Sequence, residues 1–456
     1  MFKAQLERIK LKLNQARSVD SDLKVFGASS HKYELSPPAS LTEVEQFEQK
    51  HQFSFPLCYR EFLLSLGNGG AGPFYGLYPL GYCLDDLAEK VGDTLGKPSV
   101  VHPGITRDAW NKLTHRLQND EDITDDEFDR EIANVYAGIM PLGTQGCDSI
   151  HALVVTGQHA GRVINAEIGC DWEPKFCYED NFLDWYERWL DEVISGILIS
   201  DQATWFGYTM GGDDLTLLKY FEESVDDDEK VEALVGLAKL HSIHDSSCDQ
   251  LKYIYTNGCE EIRHLAAGLL AKFSYEKSKR VLKELIAGDE VDYRIACQAI
   301  FWYQKGHCTE WVPHILERMP TVCEPETFRF LMYVLREAEF DYGALLVPFY
   351  KSESEIIRSI SYYSLSLLER KADYLDEFIQ GLNDPSPRVV HATLQALAGV
   401  KSAKLIAEYL GIISRFQTDE YYILTNLDNR LKELGFETRA AFVGKHGKGT
   451  SQTGDN

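Results

Sequence analysis

Four stretches of the sequence have residue types and spacings that could do chemistry. Gly67 to Gly72, "GNGGAG", satisfies the pattern GxGxxG. Dinucleotide binding needs that loop to leave a strand and open a helix, so that backbone amides meet a pyrophosphate. Here it follows the helical pattern "YREFLLSL" and leads into Pro73 and an aromatic stretch, so termination of a helix is the expected role. Asp120, Asp122, Thr124, Asp126 and Glu131 approach the spacing of a calcium loop, but the sixth position, which needs a sharp glycine turn, is Asp125. A solvated acidic loop is the expectation there. His241, His244 and Cys248 could share a helix face, yet they fit no common zinc spacing. No GxSxG elbow, Walker loop, HExxH or kinase set occurs. The expectation is a non-enzyme with no catalytic residue, metal or cofactor.

The fourth stretch carries the chemistry of recognition. The 456-residue chain has 46 Lys and Arg against 71 Asp and Glu, a net charge of -25. Residues 1–200 contribute -13 and the remainder -12, so the acidity is spread over both halves. With no basic stripe to neutralise phosphates, nucleic acid is disfavoured. A basic protein partner is favoured, because opposite charge steers association. The densest acidic run has eight acids against one Arg between Asn119 and Glu131, among them Asp120, Asp122, Asp125, Asp126 and Glu127. The segment "CDWEP" sets Asp171 and Glu173 on either side of Trp172. An aromatic flanked by acids at a turn suits a protein-binding spot; the competing reading is a Trp that anchors the end of a sheet.

These residues must be held by elements, and the best marked lie between Leu41 and Leu80. Ser40 or Thr42, with Glu43 and Glu45, supplies a capping box for a first helix. "FP" interrupts it, a second helix continues through Phe62 and Leu66, "GNGG" stops it, and "FYGLYPL" alternates as a strand would. A short helix is expected at "CLDDLAEK" and another over Trp110–Leu117. Strands are expected at Ile139–Leu142, Ala152–Thr156 and Arg162–Ala166, with a closing helix from Asn181 to Leu198. The order of capped helix, "FP", "YREFLLSLGNGG" and aromatic strand resembles the SUKH superfamily, which includes yeast cell-wall-assembly regulators and many bacterial immunity proteins. The later "PLG" strand, Gly-Cys-Asp turn, hairpin and aromatic helix resemble it too. The resemblance spans about residues 1–203. It implies an α+β domain, an antiparallel sheet flanked by helices. It also implies an immunity role: binding a polymorphic toxin domain, often a basic nuclease, and blocking it by occlusion. A regulatory scaffold is the alternative, and an enzyme of unknown type comes third.

Beyond residue 214 the strand signals vanish. Arg263, Arg294, Arg358 and Arg388 each open a helix of Ala and Leu after a polar turn, at separations of 31, 64 and 30. The double interval hides a divergent unit at "EPETFRFLMYVLREAEF". A helical period of about 30 residues marks an α-solenoid, and "DPSPRVVHATLQALAGV" resembles a HEAT repeat, with Val390, Leu394 and Leu397 on its buried face. The expected division is therefore 1–203, a linker at 204–214, an all-α HEAT-like solenoid over 215–440, and a disordered tail at 441–456. Phe2, Leu6, Ile9 and Leu13 give the N-terminal stretch one apolar face, as a first helix; a mitochondrial targeting peptide is the rival reading. The 10 cysteines form no regular framework, which suits reduced thiols in the cytoplasm. No apolar run reaches the ~20 residues that span a bilayer.

Overall fold

The structure is a computed structural model that describes residues 2–80, 82, 84, 91–200 and 206–447. The chain divides into two compact units, Met1–Ser247 and Cys248–Asn456.

The first unit is built on a four-stranded antiparallel sheet in sequence order: β1 (Ile139–Gly146), β2 (Ser149–Val154), β3 (Val163–Glu167) and β4 (Lys175–Phe176). Gly146 and Cys147, at φ 102° and 50°, make the tight turn between β1 and β2. β2 and β3 are buried along almost their whole length, His151 and Asn165 included, because both faces of the sheet are covered. Helix Phe182–Ile194, capped by the Asn181 carboxamide, brings Trp185 to 5.4 Å from the His151 ring of β2. Helix Lys3–Val19 packs on that helix, burying Leu6 and Ile9 and pairing Arg8 and Lys12 with Glu187. Helices Leu41–His51 and Leu57–Ser65 follow. The Ser40 hydroxyl accepts from the Glu43 amide at 3.2 Å, and the Glu43 carboxylate accepts from the Ser40 amide at 2.7 Å, which closes the capping box.

Three local expectations are corrected. "FYGLYPL" forms no strand beyond a single bridge between Gly70 and Leu77. Positive φ at Phe74 (54°) and Gly76 (99°) folds the segment back on the glycine loop. A Cβ on Gly70 would lie 2.5 Å from the Glu34 carbonyl, so this glycine serves a close backbone crossing. Its amide donates to Leu77 O at 2.8 Å and is not offered to a ligand. The acidic run is also no loop: helix Asp125–Val135 starts within it, capped reciprocally by Thr124 and Glu127. The expected Trp110 helix breaks at Thr114 into Arg107–Leu113 and His115–Asn119. The helix expected at "CLDDLAEK" falls almost wholly outside the described residues.

Residues 206–214, where the texture changes, are bonded into the first unit. Gly207 O accepts from the Asn165 carboxamide at 3.2 Å, and Tyr208 donates to Gln145 at 2.9 Å. Helices Asp214–Glu223 and Asp227–Leu237 belong to the same unit, and Tyr178 reaches Glu232 at 2.5 Å.

In the second unit all described regular elements are helical. Glu260–Phe273, Glu290–Tyr303, Pro325–Glu337, Glu355–Ser366, Pro387–Ala396 and Ile423–Glu433 stack in succession as one layer. Helices such as Tyr275–Ala287, Cys308–Arg318, Leu375–Leu382 and Leu405–Arg415 alternate with them as a second layer. The repeated arginines have a structural use: Arg263 bonds Asp292 of the next unit at 2.6 Å, and Arg358 holds Asp384 with two bonds of 2.8 and 2.9 Å. Helix Arg439–His446 extends into the stretch expected to be disordered from 441, with Phe442 buried beneath it; residues 448–456 lie outside the described set. Among the described residues no helix is long and apolar enough to cross a membrane.

The core of the first unit has a titratable element. His151 is fully buried, with Phe74 at 6.0 Å on one side and Trp185 on the other. Burial pushes its pKa down to about 3, the Gly76 carbonyl opposing only in part. The unfolded chain takes up this proton below about 6.5 and the folded chain does not, so stability is lost as pH falls through that interval. Between pH 6.5 and 5 the expected loss from this group is about 2 kcal/mol. Urea titrations across that range should show it in the native chain. His151→Phe should flatten the slope; an unchanged slope would remove His151 as its source.

Candidate functional site

The start of the acidic run meets the "CDWEP" turn at one end of the sheet. After β3 the chain turns at Cys170, which adopts φ 60°. Two donors grip its carbonyl: the Trp110 indole at 2.9 Å and the Gln118 carboxamide at 2.9 Å. Gln118 immediately precedes the acidic run, so this bond ties the two segments. Asn119, Asp171 and Trp172, with Arg107, line one open hollow of about 660 Å³. Trp172 and Glu173 border a second, of about 310 Å³, with Glu167, Lys175 and Tyr208.

Trp172 stands between the two hollows at 66% exposure. The anchor at this end of the sheet is Trp110, which is fully buried with its ring tilted against Tyr136 at 5.8 Å. Arg107 lies over the Trp172 ring at 4.8 Å and bonds Glu173 at 3.1 Å, which restrains both side chains. The Glu173 carboxyl is held below the usual range by its own backbone amide, and further by Arg107.

The acids divide into two groups. Arg116 gathers three carboxylates: Asp120 at 3.3 Å, Glu127 at 2.7 Å and Glu131 at 3.0 Å. Its bond to Arg116, followed by its bonds to Thr124, holds the Glu127 carboxyl down at about 2. Asp126 pairs with Arg130 one turn on. Glu127 is therefore committed to the helix cap and to Arg116, and Asp120 and Asp126 are also engaged within the chain. Asp122 and Asp125 are exposed and make no ion pair among the described residues, so they keep their charge available to a partner. Asp125 also lies in the first helical turn, where a negative charge favours the helix.

Arg107, Arg116 and Gln118 are components that sequence reasoning missed. The Arg116–Asp120 pair has a readable spacing of four, but its contacts with Glu127 and Glu131 need the turn between two helices. Nothing in the spacing of Arg107 and Trp172, 65 residues apart, signals their contact. Among the described residues no group of His, Cys, Asp and Glu is arranged to hold a metal ion; His244 is instead bonded to the buried Asp214 at 3.0 Å.

Trp172 is exposed and restrained by Arg107, and it shares its hollow with Asp171 and Asn119. Residues 38–188 match the family model of the SMI1 / KNR4 family (SUKH-1). The match includes the sheet, the acidic helix and the Trp172 turn, and it leaves the helical stack outside. No curated protein and no solved structure matches the chain.

Proposed function

We propose that the chain is a non-catalytic immunity protein of the cytoplasm whose first unit occludes a basic toxin domain. The SUKH-1 match supports a protein-interaction role for this unit, and the exposed Trp172, which shares a hollow with Asp171 and with Asn119 at the start of the acidic run, is the observation that carries the assignment. A nuclease toxin presents a basic cleft for its phosphate substrate. Carboxylates on a firm scaffold can occupy that cleft, while Trp172 adds the desolvated anchor that charge lacks. No substrate is turned over; activity is blocked by occupancy. The alternative is a regulatory scaffold, favoured by the helical second unit, which offers surface beyond what one toxin domain needs.

The test is binding kinetics with a basic nuclease toxin domain, together with growth rescue when the two are co-expressed. Trp172→Ala is expected to weaken binding by about 10–100-fold, chiefly in the off-rate. Asp122→Asn with Asp125→Asn should slow association, and added salt should slow it for the native chain. If all variants bind alike, with salt-indifferent on-rates, this surface is not the contact. Binding without growth rescue would favour the scaffold.

A further inference from the structure

We propose that a groove on the second unit, between helices Pro325–Glu337, Glu355–Ser366 and Pro387–Ala396, docks an acidic segment of a partner protein that also carries apolar side chains. The groove encloses about 460 Å³ and is lined by Arg329, Arg336 and Arg388, with no carboxylate among its lining residues. That is unexpected on charge alone, since residues 201–456 hold 40 acids against 28 bases. Arg388 occupies the repeat position at which Arg263 and Arg358 clamp the following turn. It makes no ion pair among the described residues and is exposed to the groove instead. Arg336 is likewise exposed and unpaired among them, lying 5.4 Å from the Tyr333 ring. Arg329 meets Glu326 at 3.3 Å, but its Nε is buried without a partner.

Guanidinium forks match carboxylates with paired bonds, so three of them around an acid-free hollow select negative charge. The floor between them includes Met332, Ile356 and Ile360, which suits a Leu or Phe side chain. Tyr333 joins the groove to an aromatic strip: Phe301 lies at 5.0 Å and Phe330 at 5.6 Å, and Phe330 meets Trp302, itself 52% exposed, at 5.4 Å. Tyr363, 49% exposed, lines the groove from the middle helix. Arg, Tyr and Trp are the residues enriched where binding energy concentrates. Packed helix axes are about 8–10 Å apart, so three of them span roughly 16–20 Å, the length of about six residues of extended chain. The fitting ligand is thus a short extended acidic peptide.

The experiment measures fluorescence anisotropy of the full chain with a labelled peptide, Asp-Glu-Glu-Leu-Glu-Asp-Phe-Glu. A Lys/Arg counterpart and an eight-residue oligothymidylate serve as comparison probes. Saturable binding of the acidic peptide is expected, with a Kd below about 100 µM. Arg336→Glu with Arg388→Glu should weaken it at least about tenfold, while Arg280→Glu with Arg370→Glu, the same charge change at side chains 91% and 79% exposed elsewhere, should change it less than about threefold. Tyr363→Ala alters no charge and should cost at least about fivefold, which keeps the proposal testable if the arginine variant fails to fold. Absence of saturation, equal losses in both charge variants, an unaffected Tyr363→Ala, or tighter binding of the oligothymidylate would each overturn it.

Discussion

Arg188→Met is expected to destabilise the first unit by about 3–5 kcal/mol, the scale for breaking a buried ion pair on one side. Arg188 is 9% exposed and gives three bonds of 2.7 Å each, to Glu179, to Glu192 and to the Thr209 carbonyl. Burial pulls its pKa down, but Glu192 and Glu179 more than offset this, so the guanidinium stays charged. Its Cζ lies 5.1 Å from the Phe206 ring, and a Cβ on Gly211 would meet its Nε at 1.9 Å. Arg188 therefore lies flat against the backbone of the segment that leaves the sheet domain, and Gly211 is needed for that approach. Met fills the space without the charge, leaving two buried carboxylates without their guanidinium. Urea denaturation reads the cost, and limited proteolysis should show faster cleavage within residues 206–214. Adding Glu179→Gln and Glu192→Gln to Arg188→Met should recover much of the loss. A cost below about 1 kcal/mol for Arg188→Met alone would mean that water reaches the cluster.

Leu394→Ala is expected to cost the second unit about 2–5 kcal/mol, through lost burial and the cavity left behind. Leu394 is fully buried in helix Pro387–Ala396, together with Val390, while Leu397 is buried just beyond. The helix touches its neighbours Glu355–Ser366, Leu375–Leu382 and Ile423–Glu433. In a stack of this kind each unit is held by the ones beside it, so a defect here weakens interfaces on both sides. A denaturant titration showing a change below about half a kilocalorie would place Leu394 off the packed face.

These two residues differ in how far the sequence exposes them. Leu394 sits in an apolar period that repeats about every 30 residues, and a period can be read without knowing what packs on it. Arg188 stands four residues before Glu192 in what reads as one amphipathic helix, and the spacing alone suggests a surface pair. Its burial depends on Phe206, Thr209 and Gly211, which arrive from a later segment. The same contrast separates the two halves of the candidate site. Trp172 and its flanking acids were legible as types in a turn. Exposure of Trp172 was not, because it follows from Trp110 having taken the buried position by bonding the Cys170 carbonyl.

By itself the sequence determined what depends on near neighbours along the chain. The capping box at Ser40 and Glu43, the Asn181-led helix and the helical repeats are all settled by interactions within a few residues or by a fixed period. Tertiary structure alone decided the rest. "FYGLYPL" had strand-like alternation but met one backbone bridge instead of a partner strand, so it folded back. The acidic run became helical because its N-cap at Thr124 and the distant Arg116 offset the repulsion that its charge implies. Which acids remain available, which arginines stay unpaired and which tryptophan faces solvent are outcomes of long-range pairing. A charge is neutralised by whatever lies within about 4 Å of it in space, and beyond the helical spacings of three and four, sequence distance does not reveal that partner.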